Sequence, residues 1–272
     1  MSFNMALGGL DYLPCRYGTS KIVFRGPRKD LQKDYIAFLG GSETYGQFVQ
    51  DPFPERVEQA LGFNCVNFGC SNAGIDVFAL DPQLLEFATN ARITVIQVMT
   101  AQNMSNRFYS VHPRRNDRFV SPSDLLQTIF RDVDFSQFNS NKQLIEALAE
   151  TSEQRFFTVR EELRSAWLAR MRLLLRRIPG KTVLLWLSAR SPDEAENAFG
   201  LDPWFVGRSE LEALRGEVTD IVEVVISPKA RAEGTSQMAF AELDKVAAEQ
   251  MLNPAAHGEA AAALVPVLSG ML

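Results

Sequence analysis

The chain has 272 residues, 46% of them hydrophobic and 22% charged, with a formal net charge of −5 at pH 7. That is the composition of a globular protein with room for a sizeable core, and its charge excludes a nucleic-acid binder working by broad positive potential. Three cysteines, Cys15, Cys65 and Cys70, are too few for a disulfide framework and fit a reducing compartment. They read as small buried residues rather than metal ligands or nucleophiles.

Residues 1–33 read as an N-terminal extension. "MSFNMALGGLDYLPCRYG" lacks a basic n-region and a long apolar run, and no stretch of the chain reaches about 18 apolar residues. The expected location is therefore the cytoplasm, with no membrane partner. The first strand is "YIAFL", ending in the glycines of "GGSETYG". Four similar runs follow: "CVNFGC" (65–70), "ITVIQVM" (93–99), "TVLLWLS" (182–188) and "DIVEVVI" (220–226). Short, nearly continuous apolar runs are the pattern of parallel strands buried on both faces. Helical patterns lie between them. "PFPERVEQALG" has Pro near its start and Gly at its end, and "DPQLLEFATNA" offers Asp81 as N-cap before Pro82. About 80 residues separate the third and fourth strands, far more than an ordinary connection. They hold a helix over 152–178 with an apolar stripe at Phe156, Val159, Leu163, Trp167, Leu174 and Ile178. Residues 104–150 mix aromatics, arginines and short helices, and read as a lid or wall. "AAHGEAAAALVPVL" is a terminal helix. Strand–helix alternation predicts right-handed crossovers, with sites at the carboxyl ends of the strands.

Four stretches at those ends carry candidate chemistry. The first is Gly40-Gly41-Ser42-Glu43-Thr44-Tyr45-Gly46, a tight turn that projects a serine hydroxyl beside a helix start. It also reads as a plain glycine turn with a capping serine. The second, "VNFGCSNAG" (66–74), can aim backbone N–H groups at an oxyanion, or be a loop of left-handed asparagines and glycines. The third, "TAQNMSN" (100–106), places Asn103 as an amide donor, and the fourth, "NPAAHG" (253–258), places His257 as a general base. His112 and His257 are the only histidines.

Taken together, these blocks resemble the SGNH (GDSL-like) hydrolase superfamily, from residue 35 to about 265. The family's Gly-Asp-Ser-x-Thr-x-Gly is similar to residues 40–46, its Asn-x-Gly loop to Asn67-Phe68-Gly69 through Gly74, and its third-block Asn and C-terminal His to Asn103 and His257. "DYLPCRYGTSKIVFRGP" and "NRFYSVHPRRNDRFV" resemble a bacterial family without assigned function within or near that superfamily. The resemblance implies one domain over 1–272. Its fold is a flavodoxin-like three-layer α/β/α sandwich with a five-stranded parallel sheet and a helical insertion at about 104–180, between the third and fourth strands. It also implies serine esterase or acyl-transfer chemistry without a cofactor or metal, on an ester of a small molecule or carbohydrate. Ser42, His257, Asn103 and Gly74 would be catalytic, with Asn72 competing with Gly74 for the oxyanion position. Gly41, Thr44, Asn72, His112, Arg114 and Arg115 would contact substrate.

This chain departs from the family at Gly41 (normally Asp), Ala101 (normally Gly) and Pro254. Pro254 stands where Asp-x-x-His would place the orienting acid. Asp244, Glu259 or a backbone carbonyl are left to orient His257. In "SVHPRRNDRF" (110–119), Arg114, Arg115 and Arg118 either bind an anionic group on the substrate or pair with Asp117, Asp132 and Asp134. The alternative to an enzyme is a catalytically degenerate SGNH-fold module that holds an anionic sugar or metabolite. No G-x-G-x-x-G after a strand and no G-x-x-x-x-G-K-[ST] is present.

Overall fold

The structure, a computed structural model, describes residues 9–194 and 202–272. Its strands are β1 (Ile36–Leu39), β2 (Cys65–Asn67), β3 (Ile93–Gln97), β4 (Tyr109–His112), β5 (Arg115–Pro122), β6 (Lys181–Ser188) and β7 (Asp220–Val225). Five of them form one parallel sheet in the order β2-β1-β3-β6-β7. This is the flavodoxin-like order, with its switch point at the central β1 and β3. The apolar runs at 36–39, 65–67, 93–97, 181–188 and 220–225 are thus the strands the sequence predicts.

The helices are α1 (Ser42–Tyr45), α2 (Phe53–Leu61), α3 (Ile75–Leu80), α4 (Pro82–Asn90), α5 (Asp124–Ile129), α6 (Asn141–Thr151), α7 (Glu153–Arg176), α8 (Arg208–Leu214), α9 (Pro228–Ala232), α10 (Lys245–Ala248) and α11 (Pro254–Met271). Strand side chains alternate faces, so each continuous run feeds two cores. Ala37, Leu39, Ile96, Leu184 and Trp186 pack with α3, α4, α6, α7 and α8. Ile36, Phe38, Val95, Leu185 and Val224 pack with α2, α9 and α11. The result is a three-layer α/β/α sandwich.

The local capping chemistry follows the sequence. Asp81 accepts the Gln83 and Leu84 N–H groups at the start of α4, and Gly62 ends α2 at φ +62°. The predicted stripe of α7 is buried. Trp167 Nε1–H donates to the Met99 carbonyl at 2.8 Å, tying the long helix to the end of β3, and Arg170 pairs with Asp76 at the start of α3. The long insertion differs from the sequence reading in one respect. It opens with an antiparallel hairpin, β4 against β5, inside the stretch expected to be helical.

Candidate functional site

The first glycine turn folds because a distant side chain holds it. In register, Leu39 of β1 pairs with Ile96 of β3, so the next β3 residue, Gln97, lies beneath Gly40-Gly41. Gln97 Oε1 accepts the Gly41 N–H at 3.1 Å, the Thr44 N–H at 3.3 Å and the Thr44 hydroxyl at 2.6 Å. Its Nε2 donates to Glu43 at 3.1 Å. A glutamine from the neighbouring strand thus satisfies the N-terminal amides that α1 cannot cap from its own Gly41. A Cβ at Gly40 would strike that same glutamine and Thr44.

Ser42 is the first residue of α1 and is largely buried. Its Oγ accepts the Asn72 N–H at 3.0 Å and donates to Asn72 Oδ1 at 3.3 Å. Asn72 takes φ +57°, a left-handed conformation that asparagine tolerates better than most residues. These groups form the floor of a cavity of about 490 Å3. Its walls come from the end of β3 (Met99, Thr100, Gln102, Asn103), from Lys142 of α6, from Ser188, Asp202 and Trp204, and from residues 249–252 ahead of α11. The 202–206 wall is firmly held. The Trp204 N–H donates to Thr100 Oγ1 at 2.9 Å, the Ser188 hydroxyl to the Asp202 carbonyl at 2.5 Å, and the buried Arg190 guanidinium to the Pro203 and Val206 carbonyls.

The carboxylates make this cavity electronegative. Among the described residues, Glu43, Asp202 and Glu249 line it against one cation, Lys142, which sits 5.6 Å from the Trp204 ring. Asp202 lines the cavity and is exposed to solvent there. Desolvation, aided by the Glu43 charge, pushes its carboxyl up to about 6, and the Thr100 hydroxyl opposes this.

The expected catalytic pair is not assembled. His257 lies in α11, 1% exposed and not among the residues that line the cavity, stacked on Phe53 with ring centroids 5.9 Å apart. Its Nδ1 accepts the Phe53 N–H at 3.1 Å. That amide is an orphan donor at the start of α2, where Pro52 offers no side-chain cap. In a serine–histidine relay Nδ1 carries the proton and Nε2 accepts the serine's. With Nδ1 as acceptor, the proton sits on Nε2, which is the reverse tautomer. Burial holds the imidazole down at about 3, with the Arg56 and Arg25 charges acting in the same direction. Glu259, one candidate to orient it, is engaged with Ser227.

Other expectations also need correction. Gly74 does not offer its N–H to the cavity, because that group donates to Asn116 Oδ1 at 3.1 Å. Its glycine is required by packing, since a Cβ would run into the Asn103 carbonyl. Thr44 is buried beneath the turn and bonded to Gln97. His112, Arg114 and Arg115 do not line the cavity. They form the tip of the β4–β5 hairpin, where His112 Nδ1 accepts the N–H groups of Arg114 and Arg115 at 3.3 and 3.1 Å and Arg115 pairs with Asp117. Asp132 pairs instead with Arg155. Gly41, Ser42, Asn72 and Asn103 do line the cavity together.

From residue 1 to residue 272 the chain matches the family described as "Domain of unknown function (DUF6473)". The chain belongs to that family. No curated protein sequence matches it. Among solved structures it is similar to one titled "Crystal Structure of the Lipase Lip_vut3 from Goat Rumen metagenome", at 13% identity and a TM-score of 0.41, covering 88% of this chain and 98% of that one.

Sequence reasoning missed several residues of this DUF6473 site. In the sequence Gln97 reads only as part of a strand, and Lys142, Asp202 and Glu249 belong to none of the motif-bearing stretches. Asn116, fully buried beneath the arginine-rich hairpin, sat inside a run read for its charge. The one available signal was its position between two arginines and an aspartate, in a stretch where every other polar residue reads as solvated. Among the described residues, no group of three or more His, Cys, Asp or Glu side chains is placed to hold a metal. None of the described helices is long and apolar enough to cross a membrane.

Proposed function

We propose that the cavity over Ser42 takes a small polar ester and that Ser42 accepts its acyl group, as the resemblance to SGNH hydrolases implies. The observation that carries this reading is the pinned hydroxyl. Ser42 Oγ is held at 3.0 Å by the Asn72 N–H at the floor of a 490 Å3 cavity that Asn103 also lines. A fixed serine that shares one cavity with the Asn103 carboxamide suits attack on a carbonyl, because an amide donor there can meet the negative charge that develops. The proton acceptor is Asp202 rather than His257. Asp202 lines the same cavity with a carboxyl raised to about 6, near the pH where general bases work best. Three carboxylates against one lysine among the described residues of the lining favour a neutral polyhydroxylated or cationic ester over an anionic one.

The experiment is fluorophosphonate labelling with mass-spectrometric site mapping, together with p-nitrophenyl acetate turnover. Labelling should fall on Ser42 and disappear in Ser42→Ala. Turnover should survive substitution of His257.

A second reading rests on the reversed His257 tautomer. With no histidine base at Ser42, the same cavity would bind its ligand without acyl transfer. Absence of both label and turnover at Ser42, with a sugar or amine ester still binding by calorimetry, selects that reading.

A further inference from the structure

Two fully buried asparagines, Asn116 and Asn141, join the hairpin, α6 and the cavity wall. Asn116 Oδ1 accepts the Gly74 N–H at 3.1 Å and the Val77 N–H at 3.2 Å, and its Nδ2 donates to the His112 carbonyl at 3.0 Å. Its backbone carbonyl accepts from Asn141 Nδ2. The same Nδ2 donates to Asn103 Oδ1 at 3.1 Å. Oxygen and nitrogen of a carboxamide are usually assigned from such networks rather than seen, and here the chemistry leaves one assignment. A backbone carbonyl can only accept, so the Asn141 atom facing Asn116 must be nitrogen. The Asn103 atom facing that nitrogen must then be oxygen. The Asn103 Nδ2, with no partner among the described residues, is the end offered to the cavity that Asn103 lines. Among the described residues, Asn141 Oδ1 is itself buried without a partner. An asparagine at this position is thus held for its donor at the expense of its acceptor.

We propose that Asn141 is a positioning residue: oriented by the Asn116 carbonyl, it turns the Asn103 carboxamide so that the cavity over Ser42 receives an N–H donor. The proposal goes beyond the acyl-transfer reading, because the direction of the Asn103 amide is a structural fact that can be measured without any substrate. It predicts that the group bound against Asn103 is an acceptor, such as a carbonyl or an oxyanion.

The test uses side-chain amide resonances of the full chain, labelled with 15N and assigned by substitution. The Asn141 NH2 should exchange slowly with solvent and the Asn103 NH2 quickly. A protected Asn103 NH2 in the unsubstituted protein overturns the proposal. In Asn141→Asp, which can only accept when ionised, the Asn103 amide should turn inward and its NH2 become protected. An Asn103 NH2 that still exchanges quickly in a folded Asn141→Asp also overturns it. If Asn141→Asp does not fold, the exchange comparison in the unsubstituted protein decides alone. A kinetic arm uses fluorophosphonate acylation of Ser42. Asn103→Ala and Asn141→Asp should each slow it about 10²-fold, the scale seen for loss of one oxyanion donor, and the double variant should be no slower than Asn103→Ala. Additive losses in the double variant overturn the proposal. An unlabelled Ser42 in the unsubstituted protein removes the acyl-transfer reading, while the exchange result still decides the amide's direction.

Discussion

His257 stabilises a helix end in this structure, and that role can be separated from chemistry. Replacing it by Ala leaves the Phe53 N–H buried without an acceptor, which costs about 1–3 kcal/mol, and removes the stacked ring. We expect His257→Ala to lower the denaturant midpoint while the folded fraction labels at Ser42 at the unsubstituted rate. A labelling loss larger than the loss of folded protein would return His257 to the mechanism. Asp202 makes the opposite prediction. If it is the base, the carboxylate form grows as pH rises through about 6, so the acylation rate should climb across that range. In Asp202→Asn the rate should be low and flat between pH 5 and 8. A rise with the same midpoint in that variant would assign the titration to another group. These roles were partly legible beforehand. A serine between glycines and an asparagine after a strand advertise themselves. The partner of a buried carboxamide does not, because Gln97, Asn116 and Asn141 acquire their meaning only from contacts 53, 42 and 38 residues away.

At the scale of elements, close approach dominates the site. The loop carrying Asn72 packs against the chain that carries Asn103, and Gly74 is where the two backbones meet. Gly74→Ala should therefore push the Asn103 backbone away. We expect loss of stability of about 1–3 kcal/mol for such overpacking and slower Ser42 labelling together, read by urea unfolding and by acylation rate. A variant as stable as the parent would show that the loop can slide aside. The sheet was readable because strands buried on both faces give unbroken apolar runs. The β4–β5 hairpin was not, because its strands keep one face towards solvent. "RNDRFVSP" alternates polar residues around a buried Asn116, and arginines conceal a strand that β-propensity alone would rank low.

For the whole molecule, the same histidine sets how the fold responds to acid. His257 is neutral when folded, with a value near 3, against an ordinary value of 6.5. Between those limits the unfolded chain binds a proton that the native chain refuses, so this contribution to stability is present above about pH 6.5 and is lost as pH falls towards 3. Asp202, raised to about 6 when folded, acts in the opposite sense: its contribution favours the native state below its ordinary range and is lost as pH rises through 6. The comparison that isolates the histidine is the stability gap between the parent and His257→Ala. It should be widest near pH 7 and narrow towards pH 5 in chemical denaturation. A gap that is constant with pH would mean that the imidazole is not held neutral by burial.

The His257–Phe53 contact spans 204 positions, so the amide that opens α2 finds its acceptor in α11. During synthesis α2 would leave the ribosome long before that acceptor exists. Until α11 arrives, the Phe53 N–H that opens α2 lacks this acceptor, and the Phe53 ring has Phe38 of β1 against it but not the His257 ring. The contact therefore acts as a late clasp: the layer shared by α2 and α11 gains this hydrogen bond only when α11 docks.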